Sequence, residues 1–582
     1  MDDAAELQSA VASVKSDYTA SAAMSARSGE ATDENVYITV QFAADYMETK
    51  EYRSLAADLA NAKSAEERSL LKTRRNAYSK RYHAALIEEN MSLLSDIPYT
   101  DAHPIDYSSF VTLTVPATQL DTEALSAIAE NENILHISLT DGFEVVSESE
   151  TDTTLTNSSK TGWHDVLECI GAKSIVQNGT YTGEGIKVGI YEDAFYDFPT
   201  THFNACDTTN PNISPLIENN RWTVRPYING LSTNDTIVTH ATKVTSILAL
   251  MLPDAEFYFA HLPPSTVGQR IEGIAWFIEQ GCDIVNCSIG IGSTGYRYDV
   301  DAVYDYQIYT SLITVVKSAG NTTQNPNQYV TSPGYGYNVI TVGGVKYSAD
   351  DGGWIHDDGA CYKNPSGIVT PNIAAPFRMR IENVGEVGGT SFAAPLVTAC
   401  AAMWMEKCIA SNQYALTFSN SVMSVLQTTT TRTADFTALS GIAMDDKVGA
   451  GIVNLKKLLD VSLTAQVVTN PQGSNGSIIL DTTVYLYQYF PAQISLAWFA
   501  CPLMSNFQED GVTSGTKYVM DYDVYVYLDG QLIEWSNCSD SAMERIRFSP
   551  EYSGNYRIVV KQYGNQLYSA PVTLSCYSDY YY

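Results

Sequence analysis

Between residues 184 and 346, short and nearly continuous apolar runs alternate with helical stretches. The runs are 186–191, 255–260, 283–287, 312–316 and 338–343. A strand that is apolar on both faces must be covered on both, and strands separated by helices pair in parallel. The alternation therefore predicts an α/β unit, a parallel sheet flanked by helices. Ile271, Ile274, Ala275 and Ile278 make one apolar stripe at i, i+3, i+4 and i+7, which predicts a helix over 269–280. In sheets of this kind ligands sit at the carboxyl ends of strands. Glu192, Ser288 and Asn321 fall at such ends and are candidate site residues.

The segment Gly388-Gly389-Thr390-Ser391-Phe392-Ala393-Ala394-Pro395 follows this region. Its glycines permit close backbone approach, and its alanines let a following helix pack tightly. Pro395 predicts a first helical turn, where no backbone donor is lost. Leu396, Ala399, Cys400 and Met403 continue at helical spacing. Ser391 is thereby expected at the positive end of a helix, where an oxyanion is favoured. Taken alone, the octet also reads as a buried Gly/Ala-rich helix start with a capping serine.

Three further segments stand in a telling order. They are the strand Gly185–Tyr191 ending at Glu192-Asp193, then His240-Ala241-Thr242-Lys243-Val244, then Ser318-Ala319-Gly320-Asn321. With the octet, they resemble the motifs of the subtilisin-like serine proteases in that family's chain order of acid, histidine, asparagine and serine. Lesser matches are Asp283–Gly290, Tyr337–Val345, Val369–Pro376 and Val448–Asn454. The resemblance covers roughly residues 160–460.

What the resemblance implies is a serine endopeptidase that hydrolyses protein or peptide substrates through an acyl-enzyme on Ser391. His240 is the expected base, because a serine hydroxyl is a weak nucleophile until its proton is removed. It opens a helix whose apolar face is Val244, Ile247 and Leu248. The acid departs from the family pattern: Glu192 stands where relatives carry aspartate, and Asp193 follows it. Neighbouring strand residues face opposite ways, so only one can meet His240. Strand register favours Glu192, with Asp193 as the alternative. Asn321 is expected to donate its amide to the oxyanion, beside the Ser391 N–H. Ser288, Ile289 and Gly290 resemble one wall of the family's first specificity pocket, and Ser318, Ala319 and Gly320 the other. A substrate is expected to pair with the first wall as an added strand. Thr331, near the pocket floor where relatives often have glycine, predicts a shortened pocket for small or medium residues.

The flanks complete four expected parts: a prodomain over 1–145, a linker over 146–160, a catalytic domain over 161–462 and a β-sandwich or jelly-roll domain over 463–582. In the first part, 1–33 is Ala-, Ser- and acid-rich, 36–42 reads as a strand and 49–93 as one charged helix. Its run Lys72-Thr73-Arg74-Arg75 is flanked by Glu66, Glu67, Glu88 and Glu89 and reads as a salt-bridged helix face. Strand 110–115, helix 122–131 and strand 134–139 follow, a strand-helix-strand unit that resembles the family's α+β inhibitory prodomain. That likeness makes the prodomain an intramolecular inhibitor and sets the maturation cut within Ser147–Lys160; a permanent accessory domain is the alternative. Beyond residue 462, Tyr-rich alternating strands appear, with an Asp529-Gly530 turn. Asp521 and Asp523 read as a solvated strand face rather than a calcium loop. Structural calcium stays open, metal ligands are unassigned, and no cofactor is expected for the chemistry.

The formal net charge of −32 argues against nucleic acid and anionic membranes as partners. No apolar run reaches 18 residues, so no membrane span is expected. Met1-Asp2-Asp3 does not open a signal peptide; the resemblance nevertheless implies a secreted enzyme whose signal is missing from this sequence. The ten cysteines form no Cys-x-x-Cys pair, and any disulfide pairing is unreadable. Two other function classes stay open: an inactive subtilisin-fold protein used for binding or scaffolding, favoured only by the acid substitution, and a glycan binder or adhesin acting through 465–582.

Overall fold

The computed structural model describes residues 35–119, 125, 128–129, 131–140, 145–146, 160–194, 204–225, 239–262, 271–292, 299–323, 325–364, 368–469, 471, 473–501, 519–538, 541–564 and 570–579. Residues 147–159 of the expected linker, the segment 1–33 and most of the helix expected over 122–131 lie outside them.

The N-terminal unit holds β1 (Asn35–Phe42), α1 (Lys50–Ala60), α2 (Ala65–Asn90), β2 (Asp101–Pro104), β3 (Phe110–Pro116), β4 (Ile134–Thr140) and the two-residue β5 (Val145–Val146). The first four strands form an antiparallel sheet in the order β2-β3-β1-β4. Ile38, Val40, Leu113, Val115 and Ile137 pack in its core. The charged run expected as one helix is two. Asn61 closes α1, and Ser64 opens α2 by accepting the Glu67 N–H (3.1 Å), while the Glu67 carboxylate accepts the Lys63 N–H (2.7 Å). This reciprocal cap makes a new helix start cheaper than continuation.

The basic run does not face the helix glutamates. Arg68 and Lys72 each lie 2.7 Å from Asp283, at the start of a central strand, and Lys72 also donates to Gly281 O and Cys282 O. Arg75 is buried. Burial alone would raise the Asp283 carboxyl, but Lys72 and Arg68 outweigh it and hold the group well below the carboxylate range. The missed signal is the partner: a helix face can be read from sequence, but a carboxylate 211 residues away cannot.

The central unit comprises β6 (Lys187–Asp193), β7 (Trp222–Val224), α3 (His240–Met251), β8 (Glu256–Leu262), α4 (Ala275–Glu279), β9 (Ile284–Cys287), β10 (Gly290–Ile291), α5 (Asp299–Ser311), β11 (Thr314–Ser318), β12 (Ile340–Ser348), β13 (Gly353–His356), β14 (Ile373–Pro376), β15 (Arg378–Ile381), β16 (Gly385–Gly388), α6 (Thr390–Ala410) and α7 (Ser419–Thr428). Its main sheet runs β13-β12-β11-β9-β6-β8-β7, with β14 also on β12. Every pair is parallel except β12 with β13. The α/β reading therefore holds. Within the described part of the helix expected over 269–280, the helix is interrupted at 272–274 and resumes at Ala275–Glu279, because Gly273 takes a positive φ of 65° and the Ile274 N–H goes to Gln307 Oε1 instead (3.0 Å); residues 269 and 270 lie outside the described residues. The four apolar stripe residues are buried all the same.

The helix α6 runs through the core and is buried almost throughout. By length and composition alone it is apolar enough to cross a membrane. Its start departs from expectation: Pro395 is the sixth residue, not a first-turn residue. A proline there cannot give the N–H that Ser391 O would accept in a continuous helix. The Ser288 hydroxyl donates to that carbonyl instead (3.1 Å).

The C-terminal unit holds β17 (Thr464–Val468), β18 (Ile478–Leu486), β19 (Ala492–Trp498), β20 (Asp521–Leu528), β21 (Gln531–Ser536), β22 (Met543–Phe548), β23 (Gly554–Tyr563) and β24 (Val572–Ser578). They make two antiparallel four-stranded sheets, β17-β24-β19-β22 and β18-β23-β20-β21. Asp529 and Gly530 both have positive φ (49° and 81°) between β20 and β21, the hairpin turn the dipeptide predicts. Asp523 is buried rather than solvated, while Asp521 on the same strand is half-buried; Asp523 accepts from Tyr525 (2.7 Å), and burial raises its carboxyl. Among the described residues no group of three or more His, Cys, Asp or Glu could hold a metal. None of the ten cysteines, all of them among the described residues, is in a disulfide, and eight are buried.

Candidate active site

Strand β6 ends inside the protein with Glu192 fully buried and Asp193 half-buried. Helix α3 begins at His240, capped by Thr239, which accepts the Thr242 N–H (3.2 Å) and donates to Ala205 O (2.6 Å). The two elements bring Glu192 Oε2 to 2.6 Å from His240 Nδ1. A carboxylate only accepts, so Nδ1 carries the hydrogen and a neutral ring keeps its lone pair on Nε2. The His240 ring packs on Phe392, the residue after Ser391, with centroids 5.2 Å apart.

Asn204 completes this corner. Its Nδ2 donates to Glu192 Oε2 (3.2 Å) and to Asp193 O (3.0 Å), and its Oδ1 accepts the Ala241 N–H (2.8 Å). One carboxamide thus ties the acid's strand to the histidine's helix. His261, opposite Glu192 in the β6–β8 register, donates from Nε2 to Asn204 O (2.8 Å); burial lowers its pKa to about 4, so it stays neutral. Nothing local in the sequence marks Asn204, which lies 12 residues past Glu192 in no recognisable pattern.

Asn321 follows β11. Its Oδ1 accepts the Thr390 N–H (2.9 Å) and lies 3.1 Å from the Thr390 hydroxyl, which accepts the Gly320 N–H (3.0 Å). With the oxygen fixed, the amide nitrogen is aimed. Nδ2 is buried and has no hydrogen-bond partner among the described residues. Gly389 borders it: a Cβ there would lie 3.2 Å from Nδ2. At the other side of the α6 start, Asn286 Nδ2 donates to Ser288 Oγ (2.9 Å), and Thr398 of α6 donates to Asn286 Oδ1 (3.1 Å). The Ser288 hydroxyl, held this way, is the one that meets Ser391 O.

The two expected pocket walls are joined at one end by Thr331 and Ser332. Thr331 N–H donates to Ala319 O (3.1 Å), and Ile291 and Ser332 exchange backbone bonds of 2.9 and 3.0 Å. The Thr331 side chain lies between the walls: a Cβ on Gly290 would be 2.8 Å from its Oγ1, and one on Gly320 would be 3.1 Å from its Cγ2. Ser288, Ile289, Ser318, Ala319 and Thr331 are all buried. Behind Thr331 is Lys317, fully buried on β11. Its Nζ donates to Ser318 O, Ser318 Oγ (3.1 Å) and Thr331 Oγ1 (3.2 Å). The available signal was a lysine directly after the apolar run 312–316.

The first wall carries an added strand from the chain itself. Val146 pairs with Gly290 and Val145 with Ile291, antiparallel.

Residues 183–451 match the subtilase family model. The central region is a subtilase domain. It is the domain of the subtilisin-like serine peptidases. Among solved structures, the chain is similar to fervidolysin from Fervidobacterium pennivorans, a keratinolytic enzyme related to subtilisin, at 16% identity over 94% of this chain and 77% of that one, with a TM-score of 0.46. It is also similar to the self-cleaved protease domain of PatA, at 18% identity over 47% of this chain and 96% of that one, with a TM-score of 0.34. No curated protein matches it.

Proposed function

We propose that this subtilase is a secreted serine endopeptidase made as a self-inhibited proprotein, and that it cleaves peptide bonds through an acyl-enzyme on Ser391. His240 Nε2 takes the Ser391 proton as the hydroxyl attacks the carbonyl carbon, and later returns it to the leaving amine. Water then attacks the ester with the same base. Glu192 fixes the tautomer and stabilises the imidazolium. Asn321 Nδ2 and the Ser391 N–H receive the oxyanion; such donors act before the reaction begins, without reorganisation. The acyl-transfer steps use side chains and backbone alone.

The observation that carries this reading is the 2.6 Å contact of Glu192 with His240, on a ring that packs against the residue after Ser391. Glutamate is one methylene longer than the family's aspartate, and Asn204 supports the longer side chain. The pairing of Val145–Val146 with the substrate wall supports residues 1–145 as an inhibitor, with the maturation cut in the following linker. Labelling of Ser391 by a fluorophosphonate, absent in Ser391→Ala, tests the nucleophile. Intact mass tests maturation: wild type should split between residues 146 and 160 while Ser391→Ala stays whole. No labelling of the folded wild type would return the chain to the binding-protein class.

A further inference from the structure

We infer that the pocket between Ser288–Gly290 and Ser318–Gly320 selects peptides with a glutamate side chain immediately before the cut bond, and that Lys317, acting through Thr331, sets this choice. The inference rests on the peptidase reading above and names its substrate class.

The floor of the pocket excludes bulk. Thr331 occupies the space between two glycines, each so close that a Cβ would meet its side chain at 2.8 or 3.1 Å. A large aromatic ring would have to displace it. The floor also offers one donor. Lys317 Nζ donates to Thr331 Oγ1 at 3.2 Å, so the hydrogen of that hydroxyl must turn away from the lysine. The threonine therefore presents an O–H backed by an ammonium. A carboxylate, which only accepts, is the side chain this arrangement completes. Hydrogen bonds to a charged acceptor are roughly twice as strong as neutral ones. Glutamine has the same length but neither the charge nor two accepting oxygens.

The chain's own sequence agrees. In the antiparallel register Val146 faces Gly290 and Val145 faces Ile291. In the sequence the pair runs on as Val145-Val146-Ser147-Glu148, so a glutamate follows two residues after the strand that pairs with this wall.

The test uses the full chain and internally quenched peptides Val-Val-Ser-X-Ser-Glu, with X as Glu, Gln, Ala or Phe. The expected kcat/KM for Glu exceeds that for Gln by about ten-fold, with Phe lowest. Lys317→Met should bring the Glu-to-Gln ratio towards one, whatever happens to absolute rates; a lysine that merely supports the strand would leave the ratio unchanged. Should that variant misfold, the wild-type ratio decides alone. The inference is overturned if wild type labels at Ser391 yet cleaves the Gln or Phe peptide as well as the Glu peptide, or cleaves none. If Ser391 does not label and no peptide is cut, the peptidase reading falls and takes this inference with it.

Discussion

Helix α6 contains a built-in test of how its start is held. Pro395 denies Ser391 O the helical donor, and Ser288 Oγ supplies one at 3.1 Å. Ser288→Ala removes that donor from a buried carbonyl, a loss of about 1–3 kcal/mol. Pro395→Ala restores a backbone N–H at the matching position, against about 0.4–1 kcal/mol from a freer unfolded chain. In the Pro395→Ala background the carbonyl has a helical donor again, so Ser288→Ala should cost about 1 kcal/mol less there. The lost acceptor for Asn286 Nδ2 is common to both backgrounds and cancels in the cycle. Calorimetric midpoints of the four proteins, taken at one scan rate, would read this out. About 1 kcal/mol moves the midpoint by about 2–4 °C in a domain of 150–250 residues, and somewhat less in a larger one. Contacting pairs couple by about 0.5–3 kcal/mol, while independent ones add to within about 0.3–0.5 kcal/mol. Additive midpoints would therefore refute the substitution of a serine hydroxyl for the missing helical donor.

Glu192→Gln should keep the contact to His240 but favour the wrong tautomer, lowering kcat by about 10⁴ in peptide hydrolysis, with folding intact by circular dichroism. Asn321→Ala should lower kcat by about 10²–10³ with KM little changed, the magnitude known for the equivalent donor in a subtilisin. Asp283→Asn leaves Arg68 and Lys72 without their carboxylate and should destabilise by about 3–5 kcal/mol, seen as earlier urea unfolding and faster trypsin attack on the N-terminal unit. His83 and His261 are buried and both are lowered to about 4 by burial, so each contributes full stability above the unfolded value near 6.5 and loses it as pH falls towards 4. Unfolding midpoints should drop across that window, and His83→Gln should flatten the drop.

The central sheet was legible because its strands are apolar on both faces, which few other environments tolerate. The motif residues were legible as types, and the strand alternation that favoured Glu192 over Asp193 agrees with the burial of the two side chains. What escaped was what depends on distant partners. Asn204 is an ordinary loop asparagine until the ends of β6 and α3 meet around it. Lys72 belongs to a helix with glutamates nearby, and sequence logic pairs it with them; the fold instead offers Asp283 in a drier place. Pro395 was read by a rule about helix starts, but a hydroxyl from another strand relaxed that rule. The helix over 269–280 failed at Gly273, where a side chain from α5 captured the next backbone donor.

The pairing of β5 with β10 joins two parts of one chain, and this governs how the substrate wall responds to dilution. While the chain is continuous, the partner strand is supplied at an effective concentration set by the connecting segment, and adding solvent cannot lower it. One cut between Val146 and Lys160 changes the order of the reaction from first to second. The same two residues are then held on Gly290 and Ile291 only through the docking of the N-terminal unit, in which Arg68 and Lys72 meet Asp283, and dilution begins to act on that docking.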